Sequence, residues 1–197
     1  MQLNYIYFVL KFENKSELTT NYSDIHKDII EKSKKGDLKA QFKLYNLYSK
    51  AMFNICFRMM NNREEAEDML QEAFSEAFDK LNYFRFESAF GAWLKRIVVN
   101  KCINQIKKKK IDLVLSDEVL KYEKSDEKDI TEPAYDIKKI NNAIEKLSDG
   151  FRVVFILYLM EGYDHQEISE ILGISESTSK SQYLRAKRKL REILLNS

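Results

Sequence analysis

Five glycines, one proline, two cysteines and two histidines are all that this 197-residue sequence holds of those types, and each scarcity narrows what the protein can be. Few glycines and a single proline suit a helical chain with few tight turns. Cys56 and Cys102 lie 46 positions apart in apolar stretches with no CxxC spacing. They are expected to be reduced, buried thiols rather than a disulfide framework or a zinc knuckle. His26 and His165 are isolated, neither in a ligand spacing, and each is expected to be a surface or capping residue. No Gly-rich phosphate loop and no Ser, His and Asp arrangement is present. Catalytic residues, a metal site, a cofactor and a small-molecule substrate are therefore not expected. The apolar run at residues 5–10 is too short to span a bilayer and no base precedes it, so membrane insertion and a signal peptide are not expected and the cytoplasm is the default compartment.

Net charge is also scarce, at +2, but the charges that cancel are segregated along the chain. Residues 63–80 carry seven acids against two bases, residues 95–110 seven bases and no acid, and residues 111–136 nine acids against three lysines. From residue 180 to 191 there are six Lys or Arg and no acid. Such polarisation points to separate negative and positive partners.

Helical periodicity dominates, and no stretch alternates as a half-buried strand does. Residues 24–35 read as a short helix ended by Gly36, and Asp37 caps a longer one running to Met60 and stopped by Asn61-Asn62. In the next helix Ala66, Met69, Leu70, Ala73, Phe74, Ala77, Phe78 and Leu81 form an apolar face, opposite an acidic stripe of Glu65, Asp68, Glu72, Glu76 and Asp79. Ser88 is expected to cap a fourth helix through Trp93 and Asn100 to the lysine run. Residues 111–135 are too charged and too poor in apolar residues to offset the entropy of ordering, which predicts a flexible acidic linker. Beyond it Ile140, Ile144 and Leu147 resume helical spacing, and Ser148 is expected to cap a helix ending at Gly162.

Asp164 and Glu167 have the spacing of a capping box, Gly173 supplies a left-handed residue, and Ser175 caps the helix that follows. Helix, Gly-containing turn, helix is the layout of a helix-turn-helix. The second helix offers small or hydrogen-bonding side chains in its first turns and cations after them, a pattern suited to base edges and phosphates in duplex DNA. That motif alone leaves open a conventional regulator with a dimerising or ligand-sensing N-terminal domain, or a purely helical interaction protein.

The stretches "FRMMNNREEAEDMLQEAFSEAF" and "FGAWLKRIVVN", followed after the linker by "LSDGFRVVFILYLMEGYDHQEISEILGISESTSKSQYLRAKRKL", resemble a bacterial RNA polymerase sigma factor of the sigma-70 family, extracytoplasmic-function subfamily. The resemblance implies an all-α protein of two helical domains, an N-terminal bundle and a C-terminal four-helix domain with the helix-turn-helix. Its boundaries would be an N-terminal extension at 1–22, a region 2-like domain at 23–110, the linker at 111–135 and a region 4-like domain at 136–197. It implies core RNA polymerase (largest-subunit clamp helices and flap), promoter DNA and an anti-sigma factor as partners. Carried over by position, Glu65, Asp68, Gln71, Glu72 and Glu76 would meet the polymerase. Phe84, Arg85, Phe86, Arg96, Asn100 and Lys101 would recognise and open the minus-ten region. Thr178, Lys180, Ser181, Gln182, Arg185 and Lys187 would read the minus-thirty-five element, with Thr178 and Lys187 directed to phosphates. Two departures stand out: Ser179 follows Thr178 where the family usually has Val, and Gln182 stands where a base is common.

Overall fold

The computed structural model describes residues 26–111 and 137–196; the expected N-terminal extension lies outside the described residues, as does the acidic linker apart from Ile111, which ends a helix instead. The described chain is helical, without strands: α1 Lys27–Lys34, α2 Leu38–Met60, α3 Arg63–Asp79, a 3-10 turn Leu81–Tyr83, α4 Phe90–Ile111, α5 Ile137–Glu145, α6 Asp149–Phe155 continued by a π turn Ile156–Met160, α7 His165–Leu172 and α8 Glu176–Leu195.

In the N-terminal unit each helix begins and ends where local chemistry requires. Gly36 takes φ +84°, and the Asp37 carboxylate then accepts from the amides of Lys39 at 2.8 Å and Ala40 at 3.2 Å, capping α2. Asn61 ends α2 in the left-handed region at φ 54°, while the Asn62 side-chain oxygen accepts from the Glu65 amide at 3.2 Å to open α3. The predicted apolar face of α3 is buried at Ala66, Met69, Leu70, Ala73, Phe74 and Ala77. It packs between α2 and α4, and α1 closes the unit against α2. Cys56 of α2 and Cys102 of α4 are free and buried there. The neighbouring Cys56 thiol and burial push the Cys102 thiol up, away from the reactive thiolate.

Ser88 does not cap α4. The amide of Trp93 donates to the Ala89 carbonyl at 3.2 Å, so the helix starts after Ala89. The reason is tertiary: Phe90 is drawn under Phe84, with ring centroids 5.6 Å apart, and this contact sets where the chain turns inward.

In the C-terminal unit Ser148 occupies the cap position of α6 but makes no side-chain bond. The buried Arg152 guanidinium holds that corner instead, donating to the Leu147 carbonyl at 2.8 Å and pairing with Asp149. Nor does one regular helix run on to Gly162. The Glu161 amide donates to the Ile156 carbonyl at 3.0 Å, five residues back, and the Tyr163 amide to the Leu157 carbonyl at 3.0 Å. This wider turn ends at Gly162, φ +76°. Packing of α5, α6 and α7 against α8 completes the unit.

The two units, read from the sequence as separately folded, touch. One apolar cluster contains buried residues of both. Across the contact the Arg58 guanidinium meets the Glu161 carboxylate at 2.7 Å, with the Glu161 side chain 6% exposed. Lys95 donates to the Glu161 carbonyl at 2.9 Å, Asn61 to the Glu145 carbonyl at 3.0 Å and Lys107 to the Ile171 carbonyl at 3.3 Å. Among the described residues no helix is long and apolar enough to cross a membrane.

Candidate nucleic-acid interface

The first candidate surface is the loop between α3 and α4. Tyr83, 78% exposed, and Arg85 stand outward. Phe84 does not: it is 3% exposed, closed among Phe86, Phe90 and Trp93 at centroid distances of 4.9, 5.6 and 5.2 Å. The expectation that Phe84 meets a base is therefore corrected; its ring is the floor on which Phe86 rests. Phe86 has φ +60°, a left-handed conformation costing a bulky residue about 1–2 kcal/mol. Two cations of α1 hold it there, Lys34 with Nζ 4.5 Å and Lys27 with Nζ 5.9 Å from the ring centroid. Lys34 also donates to the Phe84 carbonyl at 2.9 Å. No spacing within the loop signals that a residue of α1, 50 positions earlier, braces it.

Arg96 and Asn100, one turn apart on α4, are exposed. Lys101 is not free for DNA in this arrangement, because its ammonium lies 2.9 Å from Glu76 and 3.6 Å from Glu72. Glu76 also accepts from Lys80 at 2.7 Å. The Lys80 and Lys101 bonds hold the Glu76 carboxyl below its ordinary value, and Glu76 raises Lys101.

These contacts join the minus-ten candidates to the candidate polymerase surface on α3. There Asp68, Gln71 and Glu72 are exposed, whereas Glu65 is partly covered and paired with Lys109. Beside them a groove of about 310 Å³ opens between α2 and α3, lined by Tyr45, Phe53, Arg63, Glu67, Leu70 and Gln71. Sequence reasoning missed it, since Phe53 and Arg63 meet only across a helix pair, with the guanidinium carbon 6.0 Å from the ring centroid.

The third surface is the helix-turn-helix. The Asp164 carboxylate accepts from the Glu167 amide at 2.7 Å and the Glu167 carboxylate from the Asp164 amide at 2.9 Å, the reciprocal box read from the sequence. Gly173 takes φ +70°, and the Ser175 hydroxyl accepts from the Thr178 amide at 3.0 Å. On α8 Lys180 and Lys187 are exposed, and Thr178, Ser181, Gln182 and Arg185 are half-buried. Lys180 bridges to Glu176 at 2.6 Å, and Ser181 donates to the Thr178 carbonyl at 3.0 Å. His165, expected at the surface or as a cap, is instead half-buried with Nδ1 2.9 Å from the Ser179 hydroxyl. Ser179 itself is fully buried. A polar residue in an apolar face was the signal that could have found this pair. Among the described residues no group of His, Cys, Asp and Glu could hold a metal ion.

This arrangement matches known proteins in both units. Residues 44–111 match the family model of Sigma-70 region 2 and residues 137–190 that of Sigma-70, region 4. The chain is 34% identical over 176 residues to the ECF RNA polymerase sigma factor SigW of Bacillus subtilis, covering 84% of this chain and 94% of that one. It is 28% identical over 159 residues to the ECF RNA polymerase sigma factor SigM of Mycobacterium tuberculosis, covering 81% and 79%. Among solved structures it resembles the sigma factor RpoE in complex with the anti-sigma factor NepR from Bartonella quintana, at TM-score 0.52 and 25% identity over 80% of this chain and 98% of that one. The fold is shared as well with CnrH in complex with the cytosolic domain of CnrY, at TM-score 0.51 and 20% identity over 86% and 96%. The chain belongs to the sigma-70 family, in its extracytoplasmic-function group, and is a non-enzymatic factor for promoter-specific transcription initiation.

Proposed function

We propose that the labour of initiation is divided among three surfaces of this chain. Asp68, Gln71 and Glu72, with Glu65 and Glu76 beside them, meet basic residues of core RNA polymerase, opposite charge giving orientation and association rate. Arg85, Phe86, Arg96 and Asn100 receive the opened minus-ten strand, on which base-to-ring stacking contributes about 1–3 kcal/mol per base. Phe84 acts beneath them, and Lys101 joins them once it leaves Glu72 and Glu76. Thr178, Lys180, Ser181, Gln182, Arg185 and Lys187 read the minus-thirty-five element, with Thr178 and Lys187 meeting phosphates and Lys180, Ser181, Gln182 and Arg185 turned to base edges. The domains are assigned to 23–110 and 136–197, joined by a linker at 111–135, with 1–22 as an extension. The protein acts in the cytoplasm, and an anti-sigma factor, of the kind bound by the RpoE relative, holds it inactive.

The observation that carries this reading is the unbroken series of capping box, left-handed Gly173 and Ser175 cap, which fixes α8 with Lys180 and Lys187 exposed. Run-off transcription with purified core polymerase on a panel of promoter fragments tests it. Specific initiation should require this chain. Asp68→Ala with Gln71→Ala should weaken polymerase binding, whereas Lys180→Ala with Lys187→Ala should leave polymerase binding intact and lose the upstream element. Initiation independent of the chain, or polymerase affinity untouched by the first pair, overturns the assignment.

A further inference from the structure

Ser179 is a fully buried hydroxyl on the helix that faces DNA, and a group so placed requires a partner. Its Oγ lies 2.9 Å from Nδ1 of His165, the first residue of α7. That imidazole is stacked on Tyr158 of the π turn, with centroids 4.3 Å apart and planes at 12°. It also meets Tyr183 of α8 edge-on at 5.8 Å. Tyr158 and Tyr183 are themselves 4.5 Å apart. Ser179 and Tyr183 are four residues apart on α8, so one ring touches the same face of that helix on two successive turns. Three elements thus meet at His165. The charged groups around it are Asp164 at its own cap and Glu176 and Lys180 on α8.

Neighbouring helical residues point about 100° apart around the axis, so turning Ser179 inward directs Thr178 and Lys180 to its two flanks. The Ser175 cap fixes where α8 begins; it acts only on the first turn. A valine at position 179 would fill the space without a directional bond.

We propose that His165 and Ser179 are a positioning pair: their bond fixes the rotation of α8 about its own axis over α7, and hence how Lys180 and Ser181 stand toward the base edges and Thr178 toward the phosphates. The inference rests on the reading that α8 recognises the minus-thirty-five element. His165 touches no DNA and acts through Ser179 and Tyr183. In the neutral ring one nitrogen donates and the other accepts, and the serine hydroxyl serves either tautomer.

The test uses holoenzyme reconstituted from core polymerase and the full chain, with His165→Phe, Ser179→Val and the double variant. Affinity for a duplex carrying the upstream element is read by fluorescence anisotropy, alongside thermal unfolding of the chain. His165→Phe strands the buried Ser179 hydroxyl and Ser179→Val leaves Nδ1 of the half-buried His165 without this partner, and each should bind about five- to tenfold more weakly. The double variant, apolar on both sides, should return to within about twofold of the parent. Ser179→Ala replaces Ser179→Val if the latter does not fold. A second readout is the ratio of affinities across single-base substitutions in the element, which the single variants should flatten. A purely structural pair would lower the unfolding temperature while leaving that ratio unchanged in the folded holoenzyme. Unchanged ratios, parental affinity in both single variants, or losses that simply add in the double variant would overturn the proposal. If the parent holoenzyme itself ignores the element, the functional reading of α8 fails instead.

Discussion

Phe86 shows how a single residue can hold a conformation its own chemistry disfavours. Its φ of +60° persists because the ring is caught between Phe84 and the ammonium groups of Lys34 and Lys27. Phe86→Gly removes the strain together with the stacking surface. Strand opening, followed by the fluorescence of a reporter base in the minus-ten region, should fall at least tenfold while binding of the upstream duplex persists. Gly173 is the simpler case. A Cβ there would meet only the Lys107 ammonium at 3.9 Å, so the cost of Gly173→Ala comes from φ +70° alone, about 1 kcal/mol in chemical denaturation. His165 adds a dependence on pH. Burial, then Lys180, holds its imidazole below the ordinary value, so the unfolded chain binds the proton more readily than the folded one. Stability is therefore complete above about 6.5 and is lost as pH falls through the depressed folded value. Thermal unfolding of the parent should drop more than that of His165→Phe between about pH 7.5 and about pH 5.5.

At the scale of helices, the caps were legible and the pairing between helices was not. Asp37, Asn62, Asp164 and Ser175 each accept from an amide two or three residues on, so the bond is encoded within one short window of sequence. Ser88 failed because the start of α4 answers to Phe90 and its aromatic neighbours instead. The stripe on α3 was likewise legible as a stripe, but its spacing could not show that Lys101 and Lys109 of α4 cover Glu72, Glu76 and Glu65. These pairs are partly solvated and contribute little stability, under about 1 kcal/mol each. Lys101→Met should therefore shift the unfolding temperature only slightly. Because it bares Glu72 and Glu76 and removes no carboxylate, polymerase affinity should not fall in a binding titration, while promoter opening declines.

For the whole molecule, the contact between units is the feature with the largest consequence. The names of the two promoter elements put them some 25 base pairs apart, about 85 Å along duplex DNA. Yet here Lys95 and Lys107 of α4 donate to carbonyl oxygens of Glu161 and Ile171, in the unit that carries the helix-turn-helix. Engaging both elements at once requires these units to separate. Glu161 is the strongest tie, a buried carboxylate 2.7 Å from Arg58 and 3.7 Å from Lys95. Glu161→Gln leaves both cations without a counter-charge, which is costly at a buried contact. Small-angle scattering of the free chain should report a larger radius of gyration for Glu161→Gln than for the parent at the same ionic strength.

The sequence by itself determined the helical class, the order of the elements, the two matching blocks and the capping chemistry of the helix-turn-helix, because periodicity and caps are properties of neighbours. Tertiary structure alone decided that Phe84 lies beneath the loop while Tyr83 and Arg85 stand out, that Lys34 braces Phe86, and that Ser179 is buried against His165. It also decided that Arg58 and Lys95 meet Glu161. Each of these joins residues brought together only when helices pack, so the distance between them is set by burial of apolar faces and not by spacing along the chain.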